Sequence, residues 1–320
     1  MTAYSILTPF VPFRPEPLLP YAALTQWSDA HRLWQGQSLL NDPFHDFLHA
    51  AAAGFRVPTG TGVTLMPLRH PQQAAVQAQS LAVASGHPVV AGFGPGAMSF
   101  QKSMLGAPYG SQLGAVREYV AIMRALLEKG EADHAGTYFT CHSELPAVPR
   151  PPVEIGLGVL RPRMARLAGE IADVAITWLT PAPYVRDVVL PALRAGAEAA
   201  GRPVPRVVAI VPLALAKPDR DAVELAGVSN TGHTMLPHYA DMLGRAGIET
   251  SRTDPRGNAE ALVAGGAFLY GGERELVARL REYEEAGADE IVLNVTGVHM
   301  RYGQQASLGE LETLLGAVAR

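Results

Sequence analysis

Short apolar runs alternate with stretches of helical period from one end of the chain to the other. The spacing predicts a first strand at 4–7 and a helix over 18–32, followed by "LWQGQSL" as a second strand. Asn41-Asp42-Pro43 is a helix-start signal for 44–53. A third strand is expected at 58–66, a helix at 70–84, and a fourth strand in "VVAGFG". Residues 95–110 read as loop and 111–129 as an amphipathic helix, and the segment after it as a hairpin-like surface excursion. "VEIGLGV", "DVAITWL" and "RVVAIVPLALA" follow as strands, with helices at 162–171 and 183–200 between them. A long, mostly helical insertion occupies about 219–266. A helix at 273–286, the strand "EIVLNV" and a closing helix at 308–319 complete the chain.

Eight strands, each followed by a helix, imply an α/β chain folded as a single (β/α)8 TIM barrel over residues 1–320, with insertions at the strand carboxyl ends. A two-domain, doubly wound arrangement would need a divider, and no stretch of flexible composition supplies one. In a barrel the chemistry sits on the loops after the strands. The residues to weigh are therefore those just past each apolar run.

Composition narrows the partners. The 320 residues are 48% hydrophobic with a formal net charge of −4, so there is no basic footprint for nucleic acid. A single cysteine, Cys141, excludes an intramolecular disulfide and a multi-cysteine zinc site. The start, "MTAYSILTPFVPF", lacks the basic region and long apolar core of a signal peptide, and no run approaches a membrane span. A cytoplasmic protein without membrane or nucleic-acid partners is expected, and a homodimer stays open.

"GFGPGA" at 92–97 matches the loose dinucleotide fingerprint, but about fifteen residues separate it from the next helix expected. "HDFLH" places His45 and His49 one turn apart with Asp46 between them, yet no third ligand is evident, and no metal is expected. What recurs is glycine at strand ends: Gly60 and Gly62, then Gly92, Gly94 and Gly96, then Gly156 and Gly158. Glycine weakens a strand unless something must approach its backbone. Three successive glycine-lined strands describe a floor for a planar ring. After "VEIGLGV", Pro162 suits the first turn of a helix, whose free N–H groups favour a phosphate, with Arg161 and Arg163 beside it.

Four stretches together resemble the bacterial luciferase-like superfamily: "GTGVTLMPLRHPQQAAVQAQSLAVASGHPVVAGFGPG", "YVAIMRALLEKGEADHAGTYF", "PPVEIGLGVLRPRMARLAGEIADVAITW" and "ERELVARLREYEEAGADEIVL". More narrowly, the chain looks like the branch of coenzyme F420-dependent oxidoreductases. The resemblance implies a barrel that binds reduced F420, or FMN as the alternative, at the strand carboxyl ends. It implies a third strand that bulges around a cis non-prolyl peptide behind the central ring, which puts Gly60, Thr61 and Gly62 at that bulge. It adds Leu160 and Trp178 to the glycines, Arg161, Pro162 and Arg163 as cofactor-binding positions. The implied activity is reduction, by hydride transfer, of an activated C=C or C=N bond of a secondary metabolite or modified peptide. A two-component FMN-dependent monooxygenase and an idle binding barrel are the alternatives.

The chain departs from the branch after strand two, where Gln35, Gly36 and Gln37 replace an acidic residue and a histidine. Ala97 stands where sugar-phosphate-oxidising relatives carry an acidic residue. For the proton donor, Gln37, His70, Tyr109 and His299 are the candidates, and none stands out from sequence.

Overall fold

In the computed structural model, which describes residues 2–319, the strands close into one parallel ring. Its members are β1 (Ala3–Leu7), β2 (Leu33–Gln35), β3 (Thr59–Thr61) with its continuation β4 (Thr64–Leu65), and β5 (Val89–Gly94). A hairpin of β6 (Glu131–Ala135) and β7 (Thr140–Glu144) interrupts the series. The ring resumes with β8 (Val153–Gly158), β9 (Val174–Trp178) and β10 (Arg206–Leu215). β11 (Leu269–Gly271) hangs on the far end of β10, and β12 (Glu290–Asn294) closes the ring between β10 and β1.

The helices are α1 (Leu19–Trp27), α2 (Pro43–Ala52), α3 (Pro71–Ser85), α4 (Met98–Leu105), α5 (Gln112–Lys129) and α6 (Pro162–Ile171). α7 (Ala182–Tyr184) runs through a π turn at Val185–Val189 into α8 (Leu190–Ala200). The insertion is α9 (Ala222–Thr234), α10 (Pro237–Arg245) and α11 (Pro255–Ala264); α12 (Glu273–Glu285) and α13 (Thr296–Val318) follow. No described helix is long and apolar enough to cross a membrane.

Most of the expected elements lie where the pattern puts them; β2 is shorter than "LWQGQSL", β11 is additional, a π turn divides the helix expected at 183–200, and four further differences bear on the site or its walls. The 95–110 loop contains α4, whose one buried residue, Gln101, donates to the carbonyls of Pro95 and Gly96 and so fastens the helix to the end of β5. The first helix stops at Trp27. The third strand is broken between Thr61 and Thr64, with the Gly62–Val63 peptide cis. The closing helix begins at Thr296, well before 308, and kinks at Gly303, whose φ of 81° interrupts the pattern.

Two cores follow from strand alternation. One fills the space between strands and helices; the other, inside the ring, is Leu7, Trp34, Val90, Val174, Ile176, Val208, Ile210 and Val292. Below the inner core, at the amino ends of the strands, lies a buried charge cluster. Glu290 accepts from Ser5 Oγ and Trp34 Nε1 at 2.6 Å each, and faces Arg32 Nε and Arg206 Nη1 at 3.6 Å. The barrel is thus plugged from beneath.

Candidate active site

At the carboxyl end the broken third strand sets the geometry. Thr61 Oγ1 accepts from the Gly92 N–H at 2.8 Å and donates to its carbonyl at 3.0 Å; Thr64 Oγ1 donates to the same carbonyl at 2.9 Å. These side chains replace the ladder bonds that the break removes. The Gly62 N–H reaches the Gln35 carbonyl at 3.0 Å, and the Gln37 N–H reaches that of Val63 at 3.3 Å. Val63 is left half-buried, packed on the inner core and near Gly94 and Gly158. Nothing in the sequence singles out Val63, because a valine in a strand is the ordinary case.

The glycine floor is deeper and more filled than expected. A Cβ at Gly60 would stand 2.6 Å from the Trp34 ring, and one at Gly62 would stand 2.6 Å from Ile210 Cδ1. At Gly92 it would meet the Thr61 carbonyl oxygen at 2.0 Å, and at Gly156 Ile176 Cδ1 at 2.8 Å. These four glycines make room for the indole, the isoleucines and a neighbouring carbonyl, because a ring this narrow cannot hold large side chains from every strand. Gly94 and Gly158 differ: a Cβ there would have the Val63 methyl groups as its nearest neighbours, at 3.1 and 3.4 Å. Gly96 lies beyond β5 in a turn with φ 74°, its neighbour the Phe100 ring.

The expected cofactor positions at the other side of the mouth are brought together. Arg161 is the N-cap of α6 and supplies no side-chain cap, and Pro162 follows at the first position. Arg161 and Arg163 are exposed; Arg161 Nη1 stands 3.6 Å from Asp241 Oδ2 on α10. The Leu160 carbonyl accepts from Tyr184 Oη at 3.1 Å. Trp178, at the end of β9, stacks on His233 of α9 with ring centres 5.2 Å apart, and Tyr239 meets His233 edge-on at 5.0 Å. Trp178 Nε1 and His233 Nδ1 are buried without a partner among the described residues.

Burial, with a smaller push from His238, lowers His233 to about 4, so the imidazole is neutral in this stack. Its folded value lies below the ordinary 6.5, so the unfolded or detached residue binds the proton more tightly. The contact is therefore complete above about pH 6.5 and weakens as pH falls toward 4. Protection factors of the α9 and α10 amides, which correct for the intrinsic pH dependence of exchange, are expected to fall over that window in the wild type and to stay level in His233→Phe. The same loss of protection in both proteins would assign it to another group facing the stack, such as His238, which burial also lowers.

The four proton-donor candidates do not converge. Gln37 is engaged at both ends of its amide, donating to the Ser38 carbonyl at 2.6 Å and accepting from Arg69 Nη2 at 2.9 Å. Arg69, which no sequence motif marks, also pairs with Asp42 at 2.8 Å and fixes the loop after β2. His70 caps α3: Nδ1 accepts from the Gln72 N–H at 3.2 Å and Nε2 pairs with the Thr140 carbonyl at 3.0 Å. Tyr109 packs on Tyr138 and Phe139 beside the hairpin, and burial pushes its hydroxyl up to about 12. His299 sits across the ring, at the start of α13, stacked on Phe10 at 4.9 Å. Its Nδ1 is held by Tyr21 Oη at 3.0 Å and Ser307 Oγ at 3.2 Å, while Nε2 has no partner among the described residues. One nitrogen is thus fixed and the other unpartnered, and burial lowers the imidazole below its ordinary value, which favours the neutral form.

The "HDFLH" helix is α2, and its Asp46 is used within the fold, accepting from Gln35 Nε2 at 2.6 Å and from Asn41 Nδ2. Among the described residues no cluster of three or more His, Cys, Asp or Glu could hold a metal ion. One groove of about 520 Å³, between α1 and α13 beside Trp27, lies on the outer wall, away from the strand carboxyl ends.

The model of the luciferase-like monooxygenase family matches residues 6–290. A 5,10-methylenetetrahydromethanopterin reductase of Methanolobus tindarius is 28% identical over 218 residues, 67% of this chain and 66% of that protein. An F420-dependent glucose-6-phosphate dehydrogenase of Nakamurella multipartita is 36% identical over 156 residues, 46% of this chain and 45% of that protein. Among solved structures, the coenzyme F420-dependent tetrahydromethanopterin reductase of Methanopyrus kandleri superposes with a TM-score of 0.72 at 21% identity. That match covers 97% of this chain and 99% of the other.

Proposed function

The chain belongs to the luciferase-like monooxygenase family, and from that premise we propose that it is an oxidoreductase using reduced coenzyme F420 to reduce an activated C=C or C=N bond. The observation that carries this reading is the division of the mouth. An uncapped helix start with two exposed arginines stands on one side, and an apolar ledge at Val63 lies at the centre. The first suits a phosphate and the second the back of a planar ring. The relatives whose names include F420 support the cofactor, as does the match of the bulge and α6 to what the resemblance implied.

Arg161, the Arg163 N–H and the Arg163 guanidinium would hold the phosphate, and Val63, Gly94 and Gly158 would back the ring. When bound, the deazaflavin supplies a hydride and does not require the protein to activate oxygen. The chain's own part is to orient the acceptor and supply a proton. His299, with Nδ1 fixed by Tyr21 and Ser307, keeps Nε2 available to a substrate atom. The insertion covers the β9 side of the mouth through the His233–Trp178 stack and keeps water from that edge. An FMN-dependent monooxygenase is the second reading, favoured by the description of the family itself.

Parallel titrations with F420 and FMN separate the two. F420 is expected to bind at micromolar concentration or below, with FMN much weaker. Arg161→Ala and Arg163→Ala, tested separately, should each weaken F420 by about ten- to a hundredfold, the worth of a charge-assisted hydrogen bond. Tighter binding of FMN, with oxygen consumed when its reduced form is supplied, would replace the first reading by the second.

A further inference from the structure

Exposed apolar side chains concentrate on one side of the mouth. Fourteen large apolar side chains are exposed among the described residues, and seven of them fall on the loops that leave the carboxyl ends of β1, β2 and β5. Phe13 is 77% exposed, Leu39 72%, Leu40 69% and Met98 60%; Met104 and Leu105 extend the face along α4. β1, β2 and β5 are neighbours around the ring with only β3 between them, and the break after β3 supplies Val63. A hollow of about 300 Å³ is lined by Ser38, Leu39, Leu40, Asn41, Asp42 and Leu68. Single exposed apolar residues need no explanation, but a run of them joined to an active-site mouth does.

Building on the oxidoreductase reading above, we propose that this sector is the substrate's side of the mouth, and that the substrate carries an uncharged apolar body too large for the mouth alone. That body lies across Leu39 and Leu40, with the reacting bond over the open face of the ring that Val63 backs. The cationic helix start is on the other side, at β8, so the two ligands do not compete for one wall. A lipid surface fits less well. Interfacial binding draws on Lys and Arg, and here Arg14 is beside Glu16, Asp42 lines the hollow and Lys102 is the one lysine on these loops. Ala97, at the start of α4, adds no charge to this face.

The test uses the full chain and N-phenyl-1-naphthylamine, a neutral apolar fluorophore. Wild type should bind it, Leu39→Ser/Leu40→Ser should weaken binding by about tenfold or more, and Val204→Ser, at the opposite end of the barrel, should not. Met104→Ser/Leu105→Ser is the second variant should the first melt early. F420 titrations run beside these: absence of F420 binding would sink the cofactor reading and leave the probe result standing. Equal probe affinity in wild type and both double variants would overturn the proposal. So would a dimer in light scattering that the substitutions dissociate, which makes the face a contact between copies, or flotation with phosphatidylcholine vesicles that they abolish.

Discussion

Glu290→Ala is expected to destabilise the fold by about 3–5 kcal/mol, a large share of the roughly 5–15 kcal/mol that holds a domain together. The carboxylate is fully buried beneath the inner core and satisfies Ser5 Oγ and Trp34 Nε1. Removing it strands these two donors and leaves Arg32, 3% exposed, facing an apolar interior. Arg32 keeps its bonds to the carbonyls of Thr59 and Pro88 at 3.0 and 3.1 Å, but no other carboxylate is paired with it among the described residues. Arg206 fares better, since Glu154 holds it at 2.8 Å.

The cause can be separated from mere loss of volume. Glu290→Ala/Arg32→Met removes the stranded charge and should regain part of the loss, because a buried pair replaced by apolar groups is often neutral while a broken pair is not. Urea unfolding of wild type, the single variant and the double variant decides it. A single variant within about 1 kcal/mol of wild type would mean that water enters the base of the barrel and screens the cluster.

This cluster shows why one layer of the structure is legible in the sequence and another is not. The alternation of apolar strands and amphipathic helices is a local signal, and it locates the ring, the hairpin, α6 and the insertion. α4 escapes it because "MSFQKSML" is short, mostly exposed and tied down through a single glutamine. The first half of α13 escapes it because Gly303 breaks its period. The hydrogen-bond partners of Glu290 are 285 residues away on β1 and 256 away on β2, and no pattern along the chain announces such pairs. The site divides in the same way. Arg161, Pro162 and Arg163 follow from a helix-start signal, whereas Val63 and the orientation of His299 by Tyr21 depend on contacts across the ring. The glycines are legible as places of close approach, but what approaches most of them is the protein itself.

That distinction gives a paired experiment at β5. Gly92→Ala should destabilise the protein by about 3 kcal/mol or more, at the upper end of what overpacking does. Its Cβ would stand 2.0 Å from the Thr61 carbonyl oxygen and 2.6 Å from Ile176 Cδ1. The carbonyl is backbone, and moving it breaks the three hydrogen bonds by which Thr61 and Thr64 hold the Gly92 peptide units. Gly94→Ala, two residues on and facing the same way, meets only a Val63 methyl at 3.1 Å, a half-buried side chain that needs to give by a few tenths of an ångström rather than a backbone atom. Its stability should stay within about 1 kcal/mol of wild type, yet its affinity for F420 should fall, because the added methyl lifts the ledge that backs the ring. Urea unfolding and F420 titration of both variants test the layering. Equal destabilisation at 92 and 94 would mean that the packed interior extends to the mouth. Unchanged F420 affinity in Gly94→Ala would move the ring away from the β5 side.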